Sequence, residues 1–577
     1  MKNRRLFHFV IIALCLLLAF ATASCESVGN ESGASSASKA VSDPASSEGA
    51  SIPDISSLPG DDSSAGASSS NIGASSGIGA SSGNTSSSGR PSGGVDKRLI
   101  KESGYDMTIE LGAKNKNKLD GFGAQINTEY FMHFNTSYGV GQADYDVMLD
   151  RIKEMKLRKI RIAVLPDYFE PVNDNDNPDS FNWNGFQWES DYMKALYKIL
   201  DVAQENDIKV NITMFGVRSN MTWLAFPNSW WWNTAPTSIE EYAENSAALL
   251  RHLLINKKYT CIYQYTPYNE PDFGFSKGPQ EGREYVDFNY YVEMCEAIDA
   301  KLKAEGLRDK IDFNVSDDAT FPEWLEKCSK SNLKNIADSF NSHYYRATAD
   351  STDNVIFNYF KTLTGFIKTN AFDKPFQLLE FGSGLAVDYP VTTQTDLETY
   401  GRGLMYARAA INLLNAGGVG YTHWTLFDYM REDQRMMKCG LWGLYTDQWK
   451  ARPYYYSFSL LTRYCEPGSE IYPGVEKDLT GETIGTSGKD NGISAVFLKS
   501  GNGKWTQLFT NDNDYTVKVN VSNSAFKNSS FKRFLYQEAT LPTNNRLIPQ
   551  SGIIKANEGS VTVAIPARSF MVLTNLS

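Results

Sequence analysis

From about residue 119 the chain settles into one rhythm: short β-branched or apolar runs alternate with longer amphipathic stretches. No other feature constrains it as much, because strand, helix and strand in repeated succession build a parallel sheet. Eight runs read as strands, at 119–127, 159–165, 209–216, 262–268, 310–316, 338–345, 375–381 and 418–426. Between them 145–155, 191–205, 239–254 and 285–305 read as helices. Eight such units over about 330 residues predict an α/β chain closed into a (β/α)8 TIM barrel with insertions. Beyond about 450 the texture changes to short alternating runs, at 492–498, 505–510, 516–521 and 560–565, divided by Gly, Asn, Asp and Pro. That pattern predicts an attached C-terminal antiparallel β-sandwich. A lone strand-like run at 106–111 is expected to join it. The expected division is 96–118 for that N-terminal strand region, 119–449 for the barrel and 450–577 for the sandwich.

The residues before the barrel are of another kind. Met1-Lys-Asn-Arg4-Arg5 precedes an apolar run to Ala21, then Thr22-Ala23-Ser24-Cys25. A basic start, an apolar stretch and small residues mark 1–24 as a secretory signal. Ala23-Ser24-Cys25 resembles a bacterial lipobox, apart from Thr22 where Leu is usual, so Cys25 is a candidate lipidation site. The alternative cut after Ala23 leaves Ser24 first, and either cut takes the protein out of the cytoplasm. Residues 25–95 read as a tether: from 26 to 95 there is no Phe, Trp or Tyr, and 24 of the 70 residues are Ser. Such a chain cannot bury enough apolar surface to offset its ordering entropy. As a flexible coil it spans roughly 45 Å end to end.

With 56 Lys+Arg against 67 Asp+Glu the net charge is −11, which argues against a nucleic-acid or anionic-membrane surface. Membrane contact is expected only through a lipid on Cys25. An acidic domain with 13% aromatic residues suits a neutral partner that stacks on rings, and carbohydrate fits that description. Seven cysteines, two of them in the leader, show no CxxC spacing. A zinc site or a regular disulfide framework is therefore not expected, although one pair involving Cys439 or Cys465 stays open. Gly121-Phe-Gly123 has Ile126 where a dinucleotide loop needs its third Gly. There is no Walker loop and no His-Glu-x-x-His. No cofactor and no catalytic metal are expected.

Chemistry in a barrel of this kind sits at the C-terminal ends of the strands. The fourth run ends Asn269-Glu270-Pro271 and the seventh ends Leu379-Glu380-Phe381. A charge closing a hydrophobic strand has no packing purpose. One such Glu alone reads equally well as a salt bridge or a helix cap; one at the end of runs four and seven together is far more specific. Two carboxyls facing across a cleft can split a glycosidic bond in two steps when about 5–5.5 Å apart.

Asn269-Glu270-Pro271 and Glu380 at those positions resemble the clan A glycoside hydrolases, a retaining (β/α)8 group. The resemblance implies that Glu270 is the acid/base, Glu380 the nucleophile and Asn269 a hydrogen-bond partner of the sugar 2-hydroxyl. Gly121-Phe-Gly-Ala124, Arg161, His343-x-Tyr345 and Trp424 each resemble clan features, so that the likeness spans most of 105–577. The opening Gly-Phe-Gly and the barrel with its sandwich are most similar to family 30, while Tyr268-Asn-Glu-Pro-Asp272 is as similar to family 39. Family 30 enzymes often carry Trp-Ser-x-Pro-x-Trp-Met-Lys after strand 3. This chain has Val217-Arg-Ser-Asn-Met-Thr-Trp223 there, which leaves subfamily and substrate open.

Arg161 would hold Glu380 ionised, unless it is a surface residue at the strand entry. His343 and Tyr345 share parity, so they face one way, and Tyr345 could donate its hydroxyl to Glu380. Trp424 would form the floor under a sugar ring, using its aromatic face. Gln125 and Asn127, alternating on strand 1, would bind sugar hydroxyls. Trp230 and Trp231, in a run that ends at Trp232, would line the cleft; Trp223, Phe273 and Tyr429 are weaker candidates for outer subsites. The whole reads as a retaining hydrolase of β-glycosidic bonds in an extracellular polysaccharide, of xylan or β-glucan type and endo-acting. The alternatives are an exo-acting β-xylosidase or β-glucosidase, and a non-catalytic glycan-binding lipoprotein.

Overall fold

The computed structural model describes residues 104–175, 177–217, 235–275, 287–319, 322–346, 348, 351–486 and 491–577. The leader, the Ser-rich stretch with Cys25, Trp223 and the Trp230–Trp232 run lie outside the described residues.

All eight expected strands form. They are β1 (Gly121–Gln125), β2 (Lys159–Val164), β3 (Lys209–Met214), β4 (Ile262–Thr266), β5 (Asp312–Asp318), β6 (Ser339–Tyr344), β7 (Phe376–Phe381) and β8 (Gly420–His423). Each pairs in parallel with the next, and β8 returns to β1, so the sheet closes into a barrel. β8 and β1 approach closely: Gly420 has φ 144°, and a Cβ there would overlap the Gly121 carbonyl. Only glycine adopts that backbone beside so close a neighbour.

Alternate residues of each strand face opposite ways. One set is apolar and buried: Ile160, Ile162 and Val164 on β2, Val210, Ile212 and Met214 on β3, Phe313 and Val315 on β5. These pack beneath helices such as Gln142–Glu154, Asp191–Glu205, Ile239–Arg251 and Phe288–Ala304. The other set is polar and bonded strand to strand inside the barrel. Asn211 Nδ2 donates to Gln264 Oε1 at 3.0 Å, and Gln377 Nε2 donates to the same oxygen at 2.8 Å. Asn314 Nδ2 donates to Ser339 Oγ at 2.7 Å.

The segment from 450 to 464 departs from the expected sandwich. Pro453 opens a helix, Pro453–Tyr464, with buried residues on all sides, because proline fits the first helical turn, where its missing N–H has no partner to lose. It follows β8 and completes the last βα unit. The antiparallel strands begin at Glu470–Lys477. That strand serves three partners: residues 470–473 pair with Ile493–Lys499, residues 474–477 with Met107–Leu111, and residues 475–477 also with Thr483–Thr486. Met107–Leu111 also lies parallel to Val517–Ser522. The strands enclose a core of their own that includes Ile109, Phe497, Phe509, Val519, Val563 and Leu573. Cys261, Cys295, Cys328, Cys439 and Cys465 are all free thiols. Among the described residues no helix is long and apolar enough to cross a membrane.

Candidate active site

Two backbone irregularities bring the glutamates of β4 and β7 to one end of the barrel. After β4 the chain turns at Glu270, whose φ of 50° and ψ of 53° are left-handed. Its N–H donates to the Asp317 carbonyl at 3.0 Å, while the Asn269 N–H donates to the Met214 carbonyl at 2.9 Å. In β7 the register slips: Ser342 stands opposite Leu378, but His343 stands opposite Glu380. The extra residue is Leu379, and a bulge of this kind re-aims the side chain after it. One oxygen of Glu270, one oxygen of Glu380 and one ring nitrogen of His343 lie within 4.8 Å of one another.

Arg161 organises this end of the barrel. It is fully buried, and a guanidinium cannot shed its charge, so its donors must be met by acceptors. Nε donates to Thr213 Oγ1 at 3.0 Å, and Nη1 to Gln125 Oε1 at 2.7 Å and Glu380 Oε1 at 2.5 Å. Nη2 donates to Asn269 Oδ1 and to Asp317 Oδ2, both at 2.8 Å. Tyr345 donates its hydroxyl to Glu380 Oε2 at 2.6 Å. Both oxygens of Glu380 are thus held by donors. Glu270 has one such contact, with His343 Nδ1 at 3.1 Å, and its side chain keeps 21% exposure.

The charge states follow from these contacts. Burial raises the Glu270 pKa above the ordinary carboxylate value; the His343 contact opposes that rise, and the Glu380 and Asp272 charges add to it. Burial alone would lower His343, but the Glu380 and Asp317 charges outweigh it and hold the imidazole well above its usual range. Burial would raise Asp317, but Arg161 and His343 pull it below the usual value. The outcome is two fixed cations, Arg161 and His343, threaded between Asp317 and Glu380, with Glu270 at the edge and inclined to keep a proton.

The Glu270, His343 and Glu380 atoms are near enough together for one cation, but the chemistry of the set does not suit one. Both Glu380 oxygens already accept from Arg161 and Tyr345, and a protonated His343 presents N–H donors from both ring nitrogens, toward Glu270 and toward Asp317 Oδ1 at 3.1 Å.

The structure gathers Arg161, Asn269, Glu270, His343, Tyr345 and Glu380 into one network. Asn269 Nδ2 has no hydrogen-bond partner among the described residues, which leaves it available to a ligand. Trp424 follows β8; its ring stacks on Phe215 at 6.2 Å, and its buried Nε1 has no hydrogen-bond partner among the described residues. Gln125 and Asn127, expected to meet sugar hydroxyls, are instead engaged inside the protein. Gln125 Oε1 serves Arg161, its Nε2 donates to Asn127 Oδ1 at 2.7 Å, and Asn127 Nδ2 donates to Tyr429 Oη at 2.6 Å. They are drawn inward because Arg161 needs an acceptor on the β1 side. Trp230, Trp231 and Cys25 lie outside the described residues. Sequence reasoning missed Asp317 and Thr213. Asp317 did carry a signal, since Asp317-Asp318 closes the apolar run of β5 just as Glu270 and Glu380 close theirs.

By fold, the chain is a (β/α)8 barrel with an attached β-sandwich, an architecture it shares with solved glycoside hydrolases of family 30. Solved structures that share it include a GH30 endoxylanase from Clostridium papyrosolvens, at 13% identity and TM-score 0.56, covering 82% of this chain and all of that one. A conserved exported protein from Bacteroides fragilis matches at 12% identity and TM-score 0.59, over 81% of this chain and all of that one. An endo-β1,6-glucanase matches at 16% identity and TM-score 0.54, over 81% of this chain and 93% of that one. No family model and no curated protein matches the sequence.

Proposed function

We propose that the chain is a retaining β-glycoside hydrolase in which Glu380 is the nucleophile and Glu270 the acid/base. The observation that carries this reading is the asymmetry of a close carboxyl pair. Oxygens of Glu270 and Glu380 lie within 4.8 Å, in keeping with the about 5–5.5 Å of double displacement and short of the wider gap that an inverting water needs. Glu380 is clamped on both oxygens, as suits an ionised group that attacks an anomeric carbon. Glu270 is partly open and has a raised pKa, as suits a group that must carry a proton near neutrality.

In the first step a Glu380 oxygen bonds to the anomeric carbon while Glu270 passes its proton to the departing glycosidic oxygen. In the second step Glu270 takes a proton from water, the water oxygen bonds to the anomeric carbon and Glu380 leaves. Asn269 Nδ2 supplies a donor for the 2-hydroxyl, and Trp424 an aromatic face for the ring. The substrate class we infer is a β-linked polysaccharide, of xylan or β-glucan type, attacked internally. Support comes from the endoxylanase and the endo-β1,6-glucanase among the solved structures of this fold. The basic, apolar leader and Cys25 support export and a lipid tether, with residues 25–95 as the arm.

The test is product analysis over plant, fungal and microbial polysaccharides with the parent and Glu380→Gln. The parent should release oligosaccharides from at least one β-linked polymer with the β-anomer appearing first by proton NMR, and Glu380→Gln should not. First release of the α-anomer, or undiminished hydrolysis by Glu380→Gln, would overturn the mechanism.

A further inference from the structure

Between β7 and the helix Tyr400–Asn415 the chain makes a detour to which the hydrolytic reading gives no role. Strands Leu385–Asp388 and Val391–Gln394 form an antiparallel hairpin that opens just past Glu380. Its second strand lies parallel to Met436–Lys438, in the segment after β8, and that strand pairs in turn with Tyr429–Met430. One sheet thus joins the segments that follow β7 and β8. Its edge strand Leu385–Asp388 is exposed along its whole length, while its neighbour ends in a deeply buried polar side chain, Gln394.

A glutamine amide at this depth must place both its donor and its acceptor. Arg402, also buried, decides which end is which. Its guanidinium can only donate, so Gln394 turns Oε1 toward Arg402 Nη2 and accepts there from the Tyr406 hydroxyl as well, at 3.3 Å. Nε2 is left on the other side, where it donates to the Trp424 carbonyl at 2.6 Å. The Trp424 N–H donates to the Phe381 carbonyl at 3.1 Å. The tryptophan is therefore held by both of its backbone groups, one on the residue after Glu380 and one on the hairpin. Its indole has no such polar anchor among the described residues, since Nε1 lacks a hydrogen-bond partner and the ring meets Phe215 at 6.2 Å. Where the ring lies thus follows from where its backbone is held. Packing leaves the amide little freedom: a Cβ on Gly382 would lie 2.5 Å from Gln394 Nε2 and 2.9 Å from Tyr345 Cε1. Gln394 accordingly fills the space beside the tyrosine that donates to Glu380.

We propose that Gln394 is a positioning residue of the active site: by holding the Trp424 carbonyl, it fixes the height and tilt of the indole on which a sugar ring rests. The inference rests on the glycoside hydrolase reading and adds to it a role for the hairpin after β7. Gln394 acts through Trp424 and touches no reacting atom.

The test is kcat and KM on the best polymer found, for the parent and Gln394→Glu. Glutamate has the shape of glutamine and keeps an acceptor for Arg402, but it sets an oxygen against the Trp424 carbonyl in place of the donor. A sugar rests on the indole both before and during bond cleavage, so a misplaced ring should lower kcat/KM about 10–100-fold, chiefly through a higher KM. Should that variant not fold, Gln394→Asn, which keeps the amide but withdraws it by one methylene, should move KM the same way. Thr393→Val loosens the same hairpin by removing the hydroxyl that donates to the Lys438 carbonyl at 3.1 Å; it should lower the unfolding midpoint and leave kcat and KM at the parent's values. An active parent matched in KM by Gln394→Glu, or a Thr393→Val that raises KM as much, overturns this inference alone. A parent that hydrolyses no polymer overturns the hydrolytic reading and this inference with it.

Discussion

Replacing Asp317 by Asn tests the organisation of the site most directly, because it alters charge with almost no change of shape. Asp317 is fully buried, with Oδ2 accepting from Arg161 at 2.8 Å and Oδ1 from His343 at 3.1 Å. Asn keeps one acceptor and turns an NH2 toward the other donor, so one of two charge-assisted bonds becomes a donor–donor contact. Such bonds contribute about 1.5–3 kcal/mol each, and removing one partner from a buried ion network costs about 3–5 kcal/mol. Asp317→Asn should therefore lose about 3–5 kcal/mol of stability at pH 7, measured by urea unfolding. The pH dependence carries the sign. The folded pKa of Asp317 is depressed, so its stabilisation is complete above the unfolded value, about 3.9, and is lost as pH falls through the folded value. The gap between parent and variant should be as wide at pH 5 as at pH 7 and should begin to close only in more acid solution. A gap below about 1 kcal/mol at pH 7, or one that narrows already between pH 7 and pH 5, would refute an ionised Asp317 bridging two cations.

Tyr345→Phe removes the 2.6 Å hydroxyl donor to Glu380; a bond of that strength, about 1.5–3 kcal/mol, translates into a kcat/KM lower by about 10–150-fold on the best polymer found. His343→Gln deletes the cation 3.1 Å from Glu270, and since His343 holds the Glu270 pKa down, the alkaline limb of kcat/KM against pH should move upward. Gly123→Ala would place a Cβ 2.6 Å from the Lys159 carbonyl oxygen and 2.9 Å from its Cγ, an overpacking worth about 1–3 kcal/mol, visible as a lower unfolding midpoint.

The parts of this architecture that follow a regular period were legible in the chain, and the parts that break one were not. The eight strands announced themselves because their outward residues are apolar and evenly spaced. Glu270 and Glu380 stood out as charges ending apolar runs. Asp317 has the same position on β5, but Ser316 and Asp317 both take left-handed φ values, 88° and 51°, and the register with β6 shifts there. A period-two reading ends at Ser316 and assigns Asp317 no direction. The boundary at 450 failed for a related reason: Tyr454-Tyr-Tyr456 has the composition of a strand, and only packing on all sides makes it helix. Gln125 and Asn127 were read as ligand-facing because strand parity says which face a side chain lies on, not whether another protein group already occupies its donors.

The polar interior of the barrel is a consequence of Arg161 rather than a separate feature. Lys159 lies two residues before Arg161 and faces the same way, so β2 puts two cations inside the barrel. Each needs its own carboxylate: Asp120 for Lys159 at 2.5 Å, Asp317 and Glu380 for Arg161. Between them runs an unbroken chain of hydrogen bonds. Arg161 donates to Thr213, Thr213 to Asn211 at 2.7 Å and Asn211 to Gln264; Gln377 donates to the same Gln264 oxygen and accepts from Lys159. An aliphatic residue at Asn211 would leave the Thr213 hydroxyl without its acceptor and break the ladder in its middle. The usual Val, Ile and Leu layers of such barrels are thus unavailable to this one. In return each member of the ladder has a single orientation, which is how a network of this kind rigidifies a core. The clamp on Glu380 thus comes in part from Arg161, three strands away around the barrel, and this ladder fixes the orientation of Arg161.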